Sequence, residues 1–212
     1  MMHLGARVQV PTQKRFFNIK RMQVNQVNFS EVAFAAFAAT KGVKTSSAVY
    51  NGAPVEFLLS NDEYFACPFG ASAYMAPEAT RLNLELDVTN SPVLACLQQA
   101  EQAIMRKAHA DGIFDCPFED AVKTFKSSLV FSEKYSAYRL RTKLNTVGGK
   151  SCRFFLAPEK IKVDYKDVDL RNSTVRPHIC FKGLWKQGGQ WGLQFEVLNL
   201  LVLPSSEAPI PF

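Results

Sequence analysis

The chain has 212 residues, 47% of them hydrophobic, and a formal net charge of +6. This composition excludes a disordered chain, and the length allows one large domain or two small ones. No apolar run is long enough to cross a bilayer, and the opening MMHLGARVQVPTQKRFF lacks the apolar stretch and cleavage site of a secretory signal. The expectation is a protein with no membrane segment, residing in the cytoplasm. Five cysteines (Cys67, Cys96, Cys116, Cys152 and Cys180) are odd in number and widely scattered, which suits reduced thiols and gives no metal-finger spacing.

In chain order, RFFNIKRMQVNQVNF (15–29) alternates loosely, as a strand does. SEVAFAAFAATKG (30–42) reads as a helix capped by Ser30, with Glu31 in its first turn and Gly42 past its end. KTSSAVYNGAPVEFLLS (44–60) reads as a hairpin turning at Asn51-Gly52. RLNLELDV (81–88) alternates strictly, with Leu82, Leu84, Leu86 and Val88 on one face. SPVLACLQQAEQAIMRKAHADG (91–112) is the clearest helix: Ser91 caps it, Pro92 opens it and Gly112 follows it. Its buried stripe is Leu94, Leu97, Ile104 and Met105, with the small Ala100 and Ala108. FEDAVKTF (118–125) predicts a short second helix. SAYRLRTKLNT (136–146), CRFFLA (152–157), HICFKGLW (178–185) and GQWGLQFEVLNLLVL (189–203) are strand-like. VGGK (147–150) reads as a hairpin tip between the first two, and Gly188-Gly189 as the turn before the last. The tail from Pro204 is rich in Pro and Ser.

Strands do not alternate with helices, and no phosphate loop or dinucleotide fingerprint is present. The fold class expected is mainly β with minor α. Residues 1–203 are expected to form one domain, with 1–42 as an N-terminal strand and helix extension and 204–212 as a flexible tail.

Charge is unevenly spread. Residues 1–44 carry seven Lys/Arg against one acid, residues 45–122 three against eleven, and residues 123–186 fifteen against five. If the two basic segments converge in space they form a track for a polyanion. A solvated surface of mixed sign is the alternative. Enzymatic constellations are poor: His3, His109 and His178 are the only histidines, and no nucleophile elbow, zinc-protease motif or acidic cluster accompanies them. No enzyme, no cofactor and no metal is expected, and His178 beside Cys180 reads as strand core.

The most informative segment is KYSAYRLRTKLNTVGGKSCRFF. On a strand, Arg139, Arg141 and Lys143 share one face while Leu140, Thr142 and Leu144 take the other. A row of cations with aromatics nearby suits single-stranded nucleic acid, the cations on phosphates and the rings on bases. The candidate nucleic-acid-binding residues are Lys134, Tyr138, Arg139, Arg141, Lys143, Lys150, Arg153, Phe154, Trp185 and Lys186. A solvated cationic face is the alternative for the strand. For Trp185 and Trp191 the alternative is that they plug one end of a barrel. Many short strands, a connecting helix and a basic face together suggest an OB-type barrel with added hairpins.

The order VYNGAPVEFLL, CPFG, LNLELDV, helix, YRLRTKL, GGK, FF, then VRPHICFKGLWKQGGQWGLQFEVLNLLV resembles the OB-fold single-stranded DNA-binding proteins of phages and large DNA viruses. The matching residues are Pro68, Phe69 and Gly70, then Pro177, Ile179, Gly183, Trp185 and Trp191-Gly192-Leu193. The resemblance covers roughly residues 43–203. It implies a non-enzymatic, sequence-tolerant binder of single-stranded DNA acting in replication or recombination, and a homo-oligomer is compatible with it. The closing residues Pro209, Ile210, Pro211 and Phe212 are similar to the Ile-Pro-Phe tip of bacterial single-stranded DNA-binding proteins, which docks replication and repair partners. Only Glu207 precedes the tip here, where that family has an acidic stretch. A tail packed on its own barrel is the alternative. A structural or virion interaction protein and an RNA-binding protein are the competing functions.

Overall fold

The computed structural model describes residues 22–40, 42–72 and 79–205. The start of the first expected strand, His3 and the tip Pro209–Phe212 lie outside the described residues. Fourteen strands and two helices follow one another among them: β1 (Ala33–Phe34), β2 (Ala38–Thr40), β3 (Val43–Tyr50), β4 (Ala53–Leu58), β5 (Phe65–Ala66), β6 (Ala71–Ser72), β7 (Arg81–Asp87), α1 (Val93–Ala110), α2 (Phe118–Thr124), β8 (Phe125–Lys126), β9 (Leu129–Ser132), β10 (Ala137–Asn145), β11 (Arg153–Leu156), β12 (Ile161–Val163), β13 (Ser173–Gln187) and β14 (Gln190–Pro204). No helix of the described residues is long and apolar enough to cross a membrane.

The long β13–β14 hairpin is the spine. One edge of β13 receives β5, β4 and β3 in succession, all antiparallel. The outer edge of β14 receives β8, β10 and β11 in succession, all parallel. Register shifts leave Leu198 of β14 and Lys182 of β13 as extra residues, and each raises the local twist of its strand. β10 then pairs antiparallel with β7, and β7 with β6. Both inner faces meet in one core that includes Phe57, Leu84, Leu86, Leu140, Leu144, Ile179 and Phe181.

Locally strong signals were realised. Asn51 and Gly52 both take positive φ (51° and 73°), as a two-residue turn between twisted strands requires. Leu82, Leu84, Leu86 and Val88 are all buried. In α1 the stripe is Val93, Leu97, Ala100, Ile104 and Ala108, while Leu94 and Met105 are only partly covered. The Ser91 hydroxyl accepts from the Val93 amide at 3.1 Å, so it caps the helix from one residue further out.

Three expectations failed. The described residues of 30–42 are not a helix. Val24–Gln26 and Phe29–Glu31 are single 3-10 turns, and the chain then joins the edge of β3 as β1 and β2. Alanine favours helix in isolation, but tertiary pairing overrides that weak preference. Phe34 meets Phe181 in the sheet core, whereas Phe37 meets Phe114 beside α2. A helix would set these two rings side by side on one face and could not reach both places. Nor do the described residues of the strand expected over 15–29 form one: two 3-10 turns and an isolated bridge at Gln23 take their place, and Val24, Val27 and Phe29 are buried at a spacing that is not period two. The VGGK segment is not a hairpin tip either. β10 and β11 run in the same direction along β14, so residues 146–152 connect two parallel docking stretches and do not turn the chain back.

Candidate nucleic-acid interface

Between β8 and β10 the outer edge of β14 is left unpaired at Leu193–Phe195, and a groove of about 700 Å³ opens there. One wall comes from β7 and β10: Arg81, Asn83, Glu85, Arg141 and Lys143. The other comes from Lys126 and Ser127, with Trp185 at the rim. Alternation explains the first wall. Leu140, Thr142 and Leu144 point into the core, so Arg139, Arg141 and Lys143 face away from it. The register of β7 against β10 sets Glu85 opposite Arg141 and Asp87 opposite Arg139, so acids of the negative segment partly neutralise the basic strand.

Glu85 is only 6% exposed. Its carboxylate accepts from Arg139 Nη1 and Arg141 Nε, each at 3.1 Å. Arg141 remains 57% exposed while Arg139 is 12% exposed. Lys143 bonds the Asn83 side-chain oxygen. Burial in the groove, and then the charges of Arg81 and Arg141, hold its ammonium below the ordinary lysine value. Cations crowded enough to depress one another are a site that an anion would relieve.

The second wall is held from behind. Trp191 is buried and donates from its indole to the Ala121 carbonyl at 2.6 Å, which ties α2 to β14. Phe125 packs on the same indole at 4.7 Å, placing Lys126 next to it in the groove. The Glu101 carboxylate of α1 accepts from the Ser127 hydroxyl at 2.6 Å and the Ser128 amide at 2.7 Å. Burial raises the Glu101 pKa despite these bonds. A raised carboxylate contributes stability that is full below its unfolded value and is lost as pH rises through the folded one. Glu101→Gln keeps both bonds, because its oxygen can accept from Ser128 and its amide can donate to Ser127. The variant should therefore gain on the wild-type protein as pH rises from the carboxylate range toward neutrality, read as the difference between their urea midpoints.

The expected site residues separate into groups. Arg141, Lys143 and Trp185 line the groove. Trp185 is half-buried and donates to the Leu193 carbonyl at 3.2 Å, so its indole is fixed at the rim. Arg139 lies on the same strand face but is committed to Glu85 and to the rings of Phe69 and Tyr135. Tyr138 lies on the opposite face, packed against Phe131 at 4.9 Å. Period two already places it there, since it is adjacent to Arg139. Phe154 is 2% exposed and packs on Tyr165, so it cannot stack on a base. Arg153 donates to Asn199 at 2.7 Å, outside the groove. Lys150 is exposed on the 146–152 connection, and Lys134 lies over the Tyr135 ring. Lys186 alternates away from Trp185 and approaches Phe114.

Two groove cations escaped sequence reasoning. Arg81 was legible as the polar-face start of RLNLELD. Lys126 had no local signal, because its two-residue strand exists only through β14. His178 is buried between Asn199 (2.7 Å) and Glu56 (3.3 Å), which is strand core. Burial pushes the Cys67 thiol up to about 12 and Cys180 up to about 11, and His109 meets the Cys116 carbonyl. Burial of this kind disfavours the thiolate at Cys67 and Cys180.

The architecture is mainly β and OB-fold-like. It is similar to gp2.5, a single-stranded DNA binding protein encoded by bacteriophage T7, with a TM-score of 0.50 at 10% identity over 75% of this chain and 91% of that one. A weaker likeness, TM-score 0.47 at 9% identity, links 84% of this chain to 98% of the single-stranded DNA-binding protein of bacteriophage Enc34 in complex with ssDNA. No protein-family model and no curated protein matches the sequence. At these identities the likeness is one of fold.

Proposed function

We propose that this protein binds single-stranded DNA in its β7–β10–β14 groove, with little base preference and without catalysing a reaction. The observation that carries the reading is the convergence of Arg81, Lys126, Arg141 and Lys143 on one open groove with Trp185 at its rim. The fold likeness to a phage protein that binds single-stranded DNA supports it. Cations there meet phosphates, and the indole offers a surface for a base. A groove of this kind admits one strand, and sequence tolerance follows because every base has a flat face.

The same reading places the protein in replication or recombination, inside a host cell, with residues 1–203 as one binding domain and Pro209–Phe212 of the tail recruiting partner proteins. Four cations on phosphates imply that affinity falls about fiftyfold between about 50 and about 200 mM salt. Fluorescence anisotropy of a labelled oligonucleotide against salt measures this slope. Matched RNA and duplex competitors distinguish an RNA binder and a duplex binder from the proposed one. No binding at low salt would leave the groove as solvated surface and favour an assembly role.

A further inference from the structure

We infer that Phe69 and Tyr135 form a stacking shelf for an unpaired nucleobase at one end of the groove face, an inference that rests on the single-stranded DNA reading above. The two rings come from separate segments, Phe69 from the loop between β5 and β6 and Tyr135 from the 3-10 turn before β10. They meet edge to face at 6.3 Å. Both stay exposed, Phe69 at 37% and Tyr135 at 56%.

Arg139 holds them in place. Its guanidinium lies 4.7 Å from the Phe69 centroid and 6.0 Å from that of Tyr135. Nη1 bonds Glu85, while Nε is buried with no hydrogen-bond partner among the described residues. A buried guanidinium nitrogen without a partner is costly, so the contact with the rings is what the position retains. Arg139 is thereby withdrawn from phosphate contact and turned into a support for two aromatic surfaces. Lys134, with its ammonium 5.1 Å from the Tyr135 centroid, adds a cation beside the shelf.

The shelf is continuous with the groove. Glu85 bonds both Arg139 at the shelf and Arg141 in the groove. Arg139 and Lys143 are four strand residues apart, about 13 Å, so one oligonucleotide reaches both. Rings already ordered lose little freedom on binding, which favours stacking of a base over their open surface.

The test compares a short oligothymidylate with an abasic oligonucleotide of equal length. Combining Phe69→Leu with Tyr135→Leu keeps apolar cover over Arg139 and removes the flat rings. The oligothymidylate should weaken about tenfold or more while the abasic strand is unchanged. Unchanged oligothymidylate binding, or equal loss for both strands, overturns the shelf. The groove reading survives that result if Lys126→Glu with Lys143→Glu still weakens binding about a hundredfold. A wild-type protein that binds neither strand overturns both readings. Photocrosslinking of an iodouracil-substituted oligonucleotide to the wild-type protein serves even if the variant does not fold. An adduct on Phe69 or Tyr135 is expected, and adducts confined to other peptides overturn the shelf.

Discussion

Lys126→Glu combined with Lys143→Glu is expected to weaken single-stranded DNA binding about a hundredfold at about 0.1 M salt, and to halve the salt slope. The two lysines stand on opposite walls of the groove, one on β8 and one on β10, and both are exposed. They are better targets than the more obvious Arg139 and Arg141. A glutamate at either arginine position would face the buried Glu85, and like charges there would destabilise the fold and confuse the readout. Among the described residues Lys126 makes no such bond, and Lys143 leans only on Asn83. The urea midpoint should therefore stay near that of the wild-type protein while affinity collapses. Full affinity in the double variant would show that the converging charges are surface and no track for a strand.

Gly183→Ala should produce the largest loss of stability, about 3 kcal/mol or more, or prevent folding. Gly183 has φ of 122°, a conformation that L side chains rarely adopt. A Cβ there would sit 1.9 Å from the Ser46 carbonyl oxygen and 2.9 Å from the Ala48 amide, both backbone atoms of β3. Backbone cannot swing aside as the end of a flexible side chain can, so β3 would have to leave β13. That junction supports Trp185, two residues on, and Val43, both of which line the groove. Gly149→Ala is the control, because Gly149 has ordinary φ and open space around it. It should change stability by less than about 0.5 kcal/mol. Equal urea midpoints for the two variants would contradict the close approach of β3 to β13.

Elements whose signal is short-range were legible. RLNLELDV and YRLRTKL alternate with period two, and a half-buried strand has that period, so their inward faces were named correctly. The helix 91–112 declared itself by its cap, its proline and its stripe. Asn51-Gly52 and Gly188-Gly189 marked turns that link antiparallel neighbours. The groove was half legible for the same reason: Arg141 and Lys143 follow from alternation on one strand.

What alternation cannot carry is the identity of a strand's partner. Residues 33–40 looked helical because alanine favours helix locally, yet the free edge of β3 claims their backbone groups. VGGK looked like a hairpin tip because two strands flank it, yet both strands bind β14 in parallel. Nearness in sequence to cations suggests Phe154 as a base contact, yet pairing of β11 with β14 and β12 puts it in the core. Arg81 and Lys126 stand 45 residues apart in sequence and share a groove only because β7 and β8 are both brought to the unpaired edge of β14. Periodicity is a property of a few consecutive residues and is written in the chain. Pairing, register and burial depend on contacts across tens to more than a hundred residues, and those were decided only when the β13–β14 spine gathered the other strands along its two edges.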